Sequence, residues 1–70
     1  MMPLVYAASG DENVIRKIGG SPEVKRHLET LGFTVGGTVT VVSSLSGNLI
    51  VKVRESRVAL DENLARRIMV

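Results

Sequence analysis

The sequence predicts a mainly β domain, a small antiparallel barrel of about five strands with one inserted α-helix. Its hydrophobic residues, 44% of the chain, include one Phe, one Tyr and no Trp. A core must therefore be built from Val, Ile and Leu, a set that favours strands. Short apolar runs also alternate with turn signals at close spacing. Because 70 residues provide for one hydrophobic core, we predict a single domain over residues 1–70.

The first strand is predicted at Val14–Ile18. This run is rich in β-branched residues and follows the polar turn signal Ser9–Asn13. Gly19 and Gly20 then end the strand, because glycine is unfavourable inside one. No element is assigned to the opening segment, residues 3–8.

The one α-helix is predicted at Ser21–Leu31. Ser21 can cap the free amide groups of the first turn, and Pro22 at the first helical position sacrifices no hydrogen bond. The i, i+4, i+7 spacing then places three apolar residues on one face, Val24, Leu28 and Leu31. Since no second long helix can cover this face, we predict that the helix covers an opening of the barrel.

A glycine-rich corner follows the helix. Gly32 stands just past the last apolar position, where glycine can take the left-handed conformation that ends a helix. Phe33 can then fold back onto the helix end, so we predict a core residue, with an exposed partner contact as the alternative. Gly36 and Gly37 provide a tight turn into the next strand.

The second half of the chain indicates three strands, a short helical turn and a last strand. Apolar and polar residues alternate on both sides of a hairpin signal at Ser46–Asn48. The predicted elements are, in order, a strand that buries Val39 and Val41, a returning strand that buries Leu49, Val51 and Val53, a turn at Glu55–Ser56, a strand Arg57–Leu60, a helical turn at Asp61–Ala65 and a strand Ile68–Val70.

The composition favours a soluble cytoplasmic protein. No cysteine is present, so a disulfide framework is excluded. No run approaches the roughly 18 apolar residues of a membrane span, and the N-terminus lacks the features of a secretory signal. The net charge is +2 and the cations are spread along the chain, so we expect a solvated surface, no nucleic-acid partner and no membrane insertion.

No catalytic motif is present, and we expect a non-enzymatic protein. The paired glycines lack the spacing of a nucleotide-binding loop. The one histidine, His27, follows Glu23 by four residues, which makes these two residues weak metal-ligand candidates. Because two ligands are too few for a metal site, we expect an exposed His27 paired with Glu23 and no cofactor. Weak binding of a ferrous or other divalent transition-metal ion stays open.

A run in the middle of the chain resembles a known family. It reads Leu28-x-x-Leu31-Gly32-Phe33-x-x-Gly36 and is followed by Val39-x-Val41. The matching tail consists of Val58-Ala59-Leu60, Ala65, Ile68 and Val70. Over nearly the whole chain this pattern is similar to that of the FeoA family, small cytoplasmic proteins of bacterial ferrous iron uptake. Two features depart from the family pattern: Val35 stands where proline is frequent, and the loop Ser43–Asn48 is short.

The resemblance implies an SH3-like barrel that acts with the FeoB-type ferrous iron transporter, a membrane protein with a cytoplasmic GTPase domain. The same domain occurs at the end of DtxR-type metal-dependent repressors. Because the chain begins with Met1 and carries no DNA-binding helix pair, we expect a free-standing accessory subunit. Rigid loops at a barrel rim suit recognition. The candidate contact residues are Lys25, Arg26 and Glu29 on the helix, Phe33, Val35, Gly36 and Gly37 at the corner, and Leu45 and Ser46 at the hairpin.

Two other classes of function stay open. Small barrels often bind nucleic-acid strands, but base stacking needs exposed aromatic residues, and only Tyr6 and Phe33 are available. A metal-sensing or metal-binding module, related to the C-terminal domain of DtxR-type repressors, would use His27 and Glu23 with carboxylates from other elements. Self-association also stays open.

Overall fold

The computed structural model describes all 70 residues. A 3-10 helix at Leu4–Tyr6 precedes the strands. The further elements are, in order, β1 (Glu12–Val14), β2 (Lys17–Ile18), α1 (Pro22–Leu31), β3 (Thr38–Leu45), β4 (Asn48–Val53), β5 (Ser56–Leu60), α2 (Glu62–Ala65) and β6 (Ile68–Met69). The prediction of a mainly β fold with one inserted helix and one short helical turn is confirmed.

The strands form two antiparallel sheets. Four strands pair in the order β1-β3-β4-β5, and β2 pairs with β6 in a second sheet. The register of β3 against β4 shifts between Val41 and Ser43, which makes Val42 the extra residue of a bulge. The two sheets enclose one core without forming a single closed ring of hydrogen bonds, so β5 is an edge strand.

The predicted strand Val14–Ile18 is wrong, because this segment contributes to both sheets. Val14 ends β1, which pairs with β3, and Lys17 begins β2, which pairs with β6. Between them Ile15 is buried, and its backbone N–H and C=O bond to the corner at Gly36–Gly37, both at 2.8 Å. A uniform β-branched run cannot reveal this change of partner, because both halves satisfy the same strand pattern.

The helix α1 lies over the core as predicted. It begins at Pro22, because Ser21 is the cap and its Oγ accepts the backbone N–H of Val24 at 3.3 Å. Leu28 is fully buried, while Val24 and Leu31 are half-buried against the core. None of the helices is long and apolar enough to cross a membrane.

Twelve hydrophobic residues form one core, which contains no polar side chain. The alternation predicted for β3 and β4 is confirmed, since every second residue of these strands is buried up to the bulge. The core consists of Leu4, Ile15, Leu28, Phe33, Val39, Val41, Leu49, Val51, Val53, Leu60, Ala65 and Ile68. Leu4 comes from the opening segment, to which the sequence assigned no element.

The turn between β4 and β5 lies one residue before the predicted Glu55–Ser56. Ser56 already pairs with Val53, so the two central residues are Arg54 and Glu55. Arg54 has a φ of 56°, in the left-handed region that non-glycine residues rarely adopt. A positive φ at the first central residue of the turn matches the twist of the flanking strands. This requirement overrides the preference of arginine for a negative φ.

The two ends of the chain lie side by side. Met2 and Val70 exchange backbone hydrogen bonds, each 2.8 Å long. Pro3 and Met69 form an isolated antiparallel bridge next to them. The opening segment is thereby attached to β6, and its Leu4 side chain closes one side of the core.

Candidate partner-binding site

The outer face of α1 presents charged side chains to solvent. Lys25, Arg26 and Glu29 are all exposed, because the opposite face of the helix is packed onto the core through Leu28. No ion pair or side-chain hydrogen bond engages these three side chains. They are therefore free to meet a partner or water.

The corner after α1 places Phe33 in the core. Gly32 has a φ of 110° and ends the helix, with its N–H donating to the carbonyl of Glu29 at 2.9 Å. The N–H of Phe33 donates to the carbonyl of Leu28 at 3.0 Å, which turns the ring back under the helix. Since Phe33 is fully buried, its ring is not available as an exposed contact.

A tight turn next to Phe33 projects Val35 into solvent. The N–H of Gly37 donates to the carbonyl of Thr34 at 2.9 Å, and Gly36 between them has a φ of 89°. The same turn is held from behind by the two hydrogen bonds to Ile15. Val35 is 65% exposed on this fixed loop.

Four of the predicted contact residues meet in one depression, which we call the corner groove. It has a volume of about 290 Å³ and is lined by Ile18, Lys25, Glu29, Phe33, Thr34 and Val35. The helix and corner candidates were singled out separately in the sequence, and the structure brings four of them together. Arg26, Gly36 and Gly37 are not part of the lining.

One of the two hairpin candidates, Leu45, lines a second depression, which we call the hairpin groove, whereas Ser46 is not part of the lining. This groove has a volume of about 450 Å³ and is lined by Ser43, Leu45, Asn48, Leu49, Ile50, Ala59, Leu60 and Asp61. Leu45 is 78% exposed, and Ser46 holds a φ of 53° in the turn. The two grooves share no residue. Ile50 and Ala59 were not singled out in the sequence, although the period of two places Ile50 on the outer face.

A polar cluster joins the hairpin to α2 and to the opening segment. Asn48 Oδ1 accepts the N–H of Glu62 at 3.0 Å, and Glu62 Oε1 accepts from Arg66 Nη2 at 2.7 Å. Arg66 Nη1 donates to the Tyr6 hydroxyl at 3.4 Å, and its guanidinium lies 5.9 Å from the centroid of that ring. The hydrogen bond to Glu62 and then that to Tyr6 raise the pKa of Arg66 above its ordinary value.

Glu23 and His27 do not form the expected pair. Both side chains are exposed on α1, but no hydrogen bond or ion pair joins them, and the single ion pair of the structure is that of Glu62 with Arg66. Nowhere do three His, Asp or Glu side chains gather in a group that could hold a metal ion.

The fold is that of a small SH3-like domain. The FeoA domain family model matches residues 2–70. The chain belongs to the FeoA family.

Known proteins similar to this chain include one archaeal relative and several solved structures. A protein of Methanocaldococcus jannaschii named "Putative Fe(2+) transport protein A" is 30% identical over 70 residues, which are 100% of this chain and 85% of the relative. The crystal structure of an iron uptake regulatory protein, FeoA, has a TM-score of 0.86 and 31% identity. The match covers 96% of this chain and 89% of the FeoA chain.

Two further solved structures have the same fold. A manganese-dependent transcriptional repressor is 20% identical with a TM-score of 0.85, and the match covers 94% of this chain and 38% of the repressor. A structure of ScaR with bound Zn²⁺ is 18% identical with a TM-score of 0.82, and the match covers 97% of this chain and 35% of the ScaR chain. At these identities the likeness shows a shared fold alone.

Proposed function

We propose that this protein is a non-enzymatic, cytoplasmic accessory protein of ferrous iron uptake that docks on the cytoplasmic part of a FeoB-type transporter. The observation that carries the proposal is the match of residues 2–70 to the FeoA family. A relative named for Fe(2+) transport, 30% identical over the whole chain, supports it. In this proposal the ferrous ion is the cargo of the transporter, and this chain contributes a binding surface.

The corner groove is the surface best suited to such docking. Val35 is an exposed apolar side chain in the same groove as Lys25 and Glu29, so a partner could bury it and satisfy both charges. The turn that carries Val35 is fixed by the backbone bonds to Ile15, so little conformational entropy is lost when a partner binds.

The test is an NMR titration of the ¹⁵N-labelled protein with the FeoB-type transporter of the same genome in detergent, with and without a GTP analogue. We expect shifts at the corner groove, centred on residues 34–37. Val35→Asp should weaken binding at least about tenfold, which corresponds to roughly 1.4 kcal/mol, because it introduces an unpaired carboxylate into the contact. Leu45→Asp, the same kind of change in the hairpin groove, serves as the matched control and should leave binding unchanged.

Absence of shifts in every nucleotide state would contradict docking altogether. Binding that withstands Val35→Asp but is lost in Leu45→Asp would contradict the corner groove and place the contact at the hairpin. Both variants should keep the amide spectrum of a folded domain, since both side chains are largely exposed.

A further inference from the structure

Two cations stand side by side on the outer face of the four-stranded sheet. Lys52 on β4 and Arg57 on β5 are directly opposite each other in the register, and both are exposed. On its other side Lys52 pairs with the uncharged Thr40. The one ion pair of the structure lies elsewhere, between Arg66 and Glu62, so neither cation has a carboxylate partner. Like charges at opposite positions repel, and an anion from outside would relieve this repulsion.

Next to these cations lies a free sheet edge. The two-residue turn before β5 closes with the pair Val53–Ser56, and hydrogen-bonded pairs then alternate along the ladder. The backbone N–H and C=O groups of Arg57 and Ala59 therefore point away from β4. No hydrogen bond outside the pairing with β4 involves residues 56–60. An edge with free backbone groups can accept a further strand.

The neighbouring row of the same face is apolar. Ile50 pairs with Ala59 across the two strands, both are exposed, and both line the hairpin groove together with Leu45. Side chains two residues apart on an added strand lie on one face. A strand beside β5 would therefore place one side chain near the cations and another, two positions away, near the apolar row.

We propose that the β5 edge binds an extended acidic segment of a partner protein, which adds a fifth strand to the sheet. A carboxylate of the segment faces Lys52 and Arg57, and an apolar side chain two residues away faces Ile50 and Ala59. The backbone supplies affinity and the alternate side chains supply specificity, as in other cases of strand addition.

The charges favour an acidic segment over a second copy of this chain. Pairing of β5 with β5 of another copy would bring two Lys52 and two Arg57 side chains onto one continuous sheet face. Positive charges on edge strands oppose such association. The same charges attract an acidic segment. They therefore disfavour a second copy of this chain and favour an acidic partner.

The test is a titration of the ¹⁵N-labelled 70-residue protein with the capped peptide Thr-Glu-Thr-Val-Thr-Glu-Thr. Its Glu and Val residues share one face when it is extended. We expect saturable amide shifts and slowed hydrogen exchange at Arg57 and Ala59. Thr-Lys-Thr-Val-Thr-Lys-Thr should bind at least about tenfold more weakly, and binding of the acidic peptide should weaken as salt is raised.

Two variants test separately how the backbone hydrogen bonds and the charges contribute to peptide binding. Ala59→Pro removes a backbone N–H that bonds to nothing in the fold, and proline is tolerated at such edge positions. This variant should remain folded and lose peptide binding. Lys52→Glu should fold, since it creates a cross-strand pair with Arg57, and should weaken binding at least about tenfold. Lys25→Glu on α1 makes the same charge change elsewhere and should retain binding of the peptide.

The proposal is overturned if the acidic peptide produces no saturable shifts, if the lysine peptide binds equally well, or if a folded Ala59→Pro variant still binds. Equal weakening by Lys25→Glu and Lys52→Glu would also overturn it, because attraction would then come from net charge. The test uses no transporter and a surface outside the corner groove, so this proposal and the proposed function can fail independently.

Discussion

At the scale of single residues, Val35 stands out because the turn around it has the geometry that proline favours. Gly36 has a positive φ at the second central position and the N–H of Gly37 bonds to the carbonyl of Thr34, which defines a type II turn. Proline is common at the first central position, here Val35, whose own backbone N–H makes no hydrogen bond. Proline would therefore suit this position better than valine does.

Val35→Pro should raise the free energy of unfolding by about 0.4 to 1 kcal/mol, because proline restricts the unfolded chain without costing a native hydrogen bond. Urea denaturation of the two proteins measures the difference. Gly36→Ala is the contrasting change: it forces a side chain into a φ of 89° and should lower the same free energy by about 1 to 2 kcal/mol. A destabilised Val35→Pro variant would show that the turn is not of this type.

At the scale of secondary-structure elements, α2 illustrates how a helix of four residues can persist. Such a helix is too short to be stable alone. Its first turn is capped twice, by Asp61 Oδ1, which accepts the N–H of Leu64 at 2.8 Å, and by Asn48 Oδ1 from the hairpin, which accepts the N–H of Glu62. Ala65 is fully buried and attaches the other end to the core.

Asn48→Ala should lower the free energy of unfolding by about 1 kcal/mol, since it removes a cap and leaves an amide without its acceptor. Hydrogen exchange at the Glu62 amide should become faster. Asn48→Asp keeps the acceptor and places a negative charge at the start of a helix, so it should retain most of the stability. Equal losses in both variants would mean that Asn48 acts through the hairpin turn and not through the cap.

At the scale of the whole molecule, the sequence predicts what is local and misses what distant elements build together. The cap at Ser21, the glycine stop at Gly32 and the alternation in β3 and β4 are encoded by neighbouring residues, and the structure has them. The change of partner at Ile15 depends on where the corner and β6 lie in space. No local pattern contains that information.

The candidate site was likewise predicted only in part from the sequence. Residue type and position singled out Lys25, Glu29 and Val35 one by one, but only the packing of α1 against the corner shows that they share one groove with Ile18 and Thr34. The contact of Tyr6 with Arg66 joins residues 60 positions apart and has no sequence signal. The free edge of β5 depends on the order of the strands, which short-range patterns do not determine.

The hydrogen bonds between Met2 and Val70 hold the two ends of the chain together, so the fold should tolerate ends placed elsewhere. A circular permutant could join these residues through a short linker and open the chain between the exposed Ala8 and Ser9. The contact most distant along the chain would then become local, so the permutant should keep the same spectrum and refold faster than the natural connectivity in stopped-flow measurements. Refolding at an unchanged rate would mean that the ends meet only after the rate-limiting step, with the rest of the core already assembled.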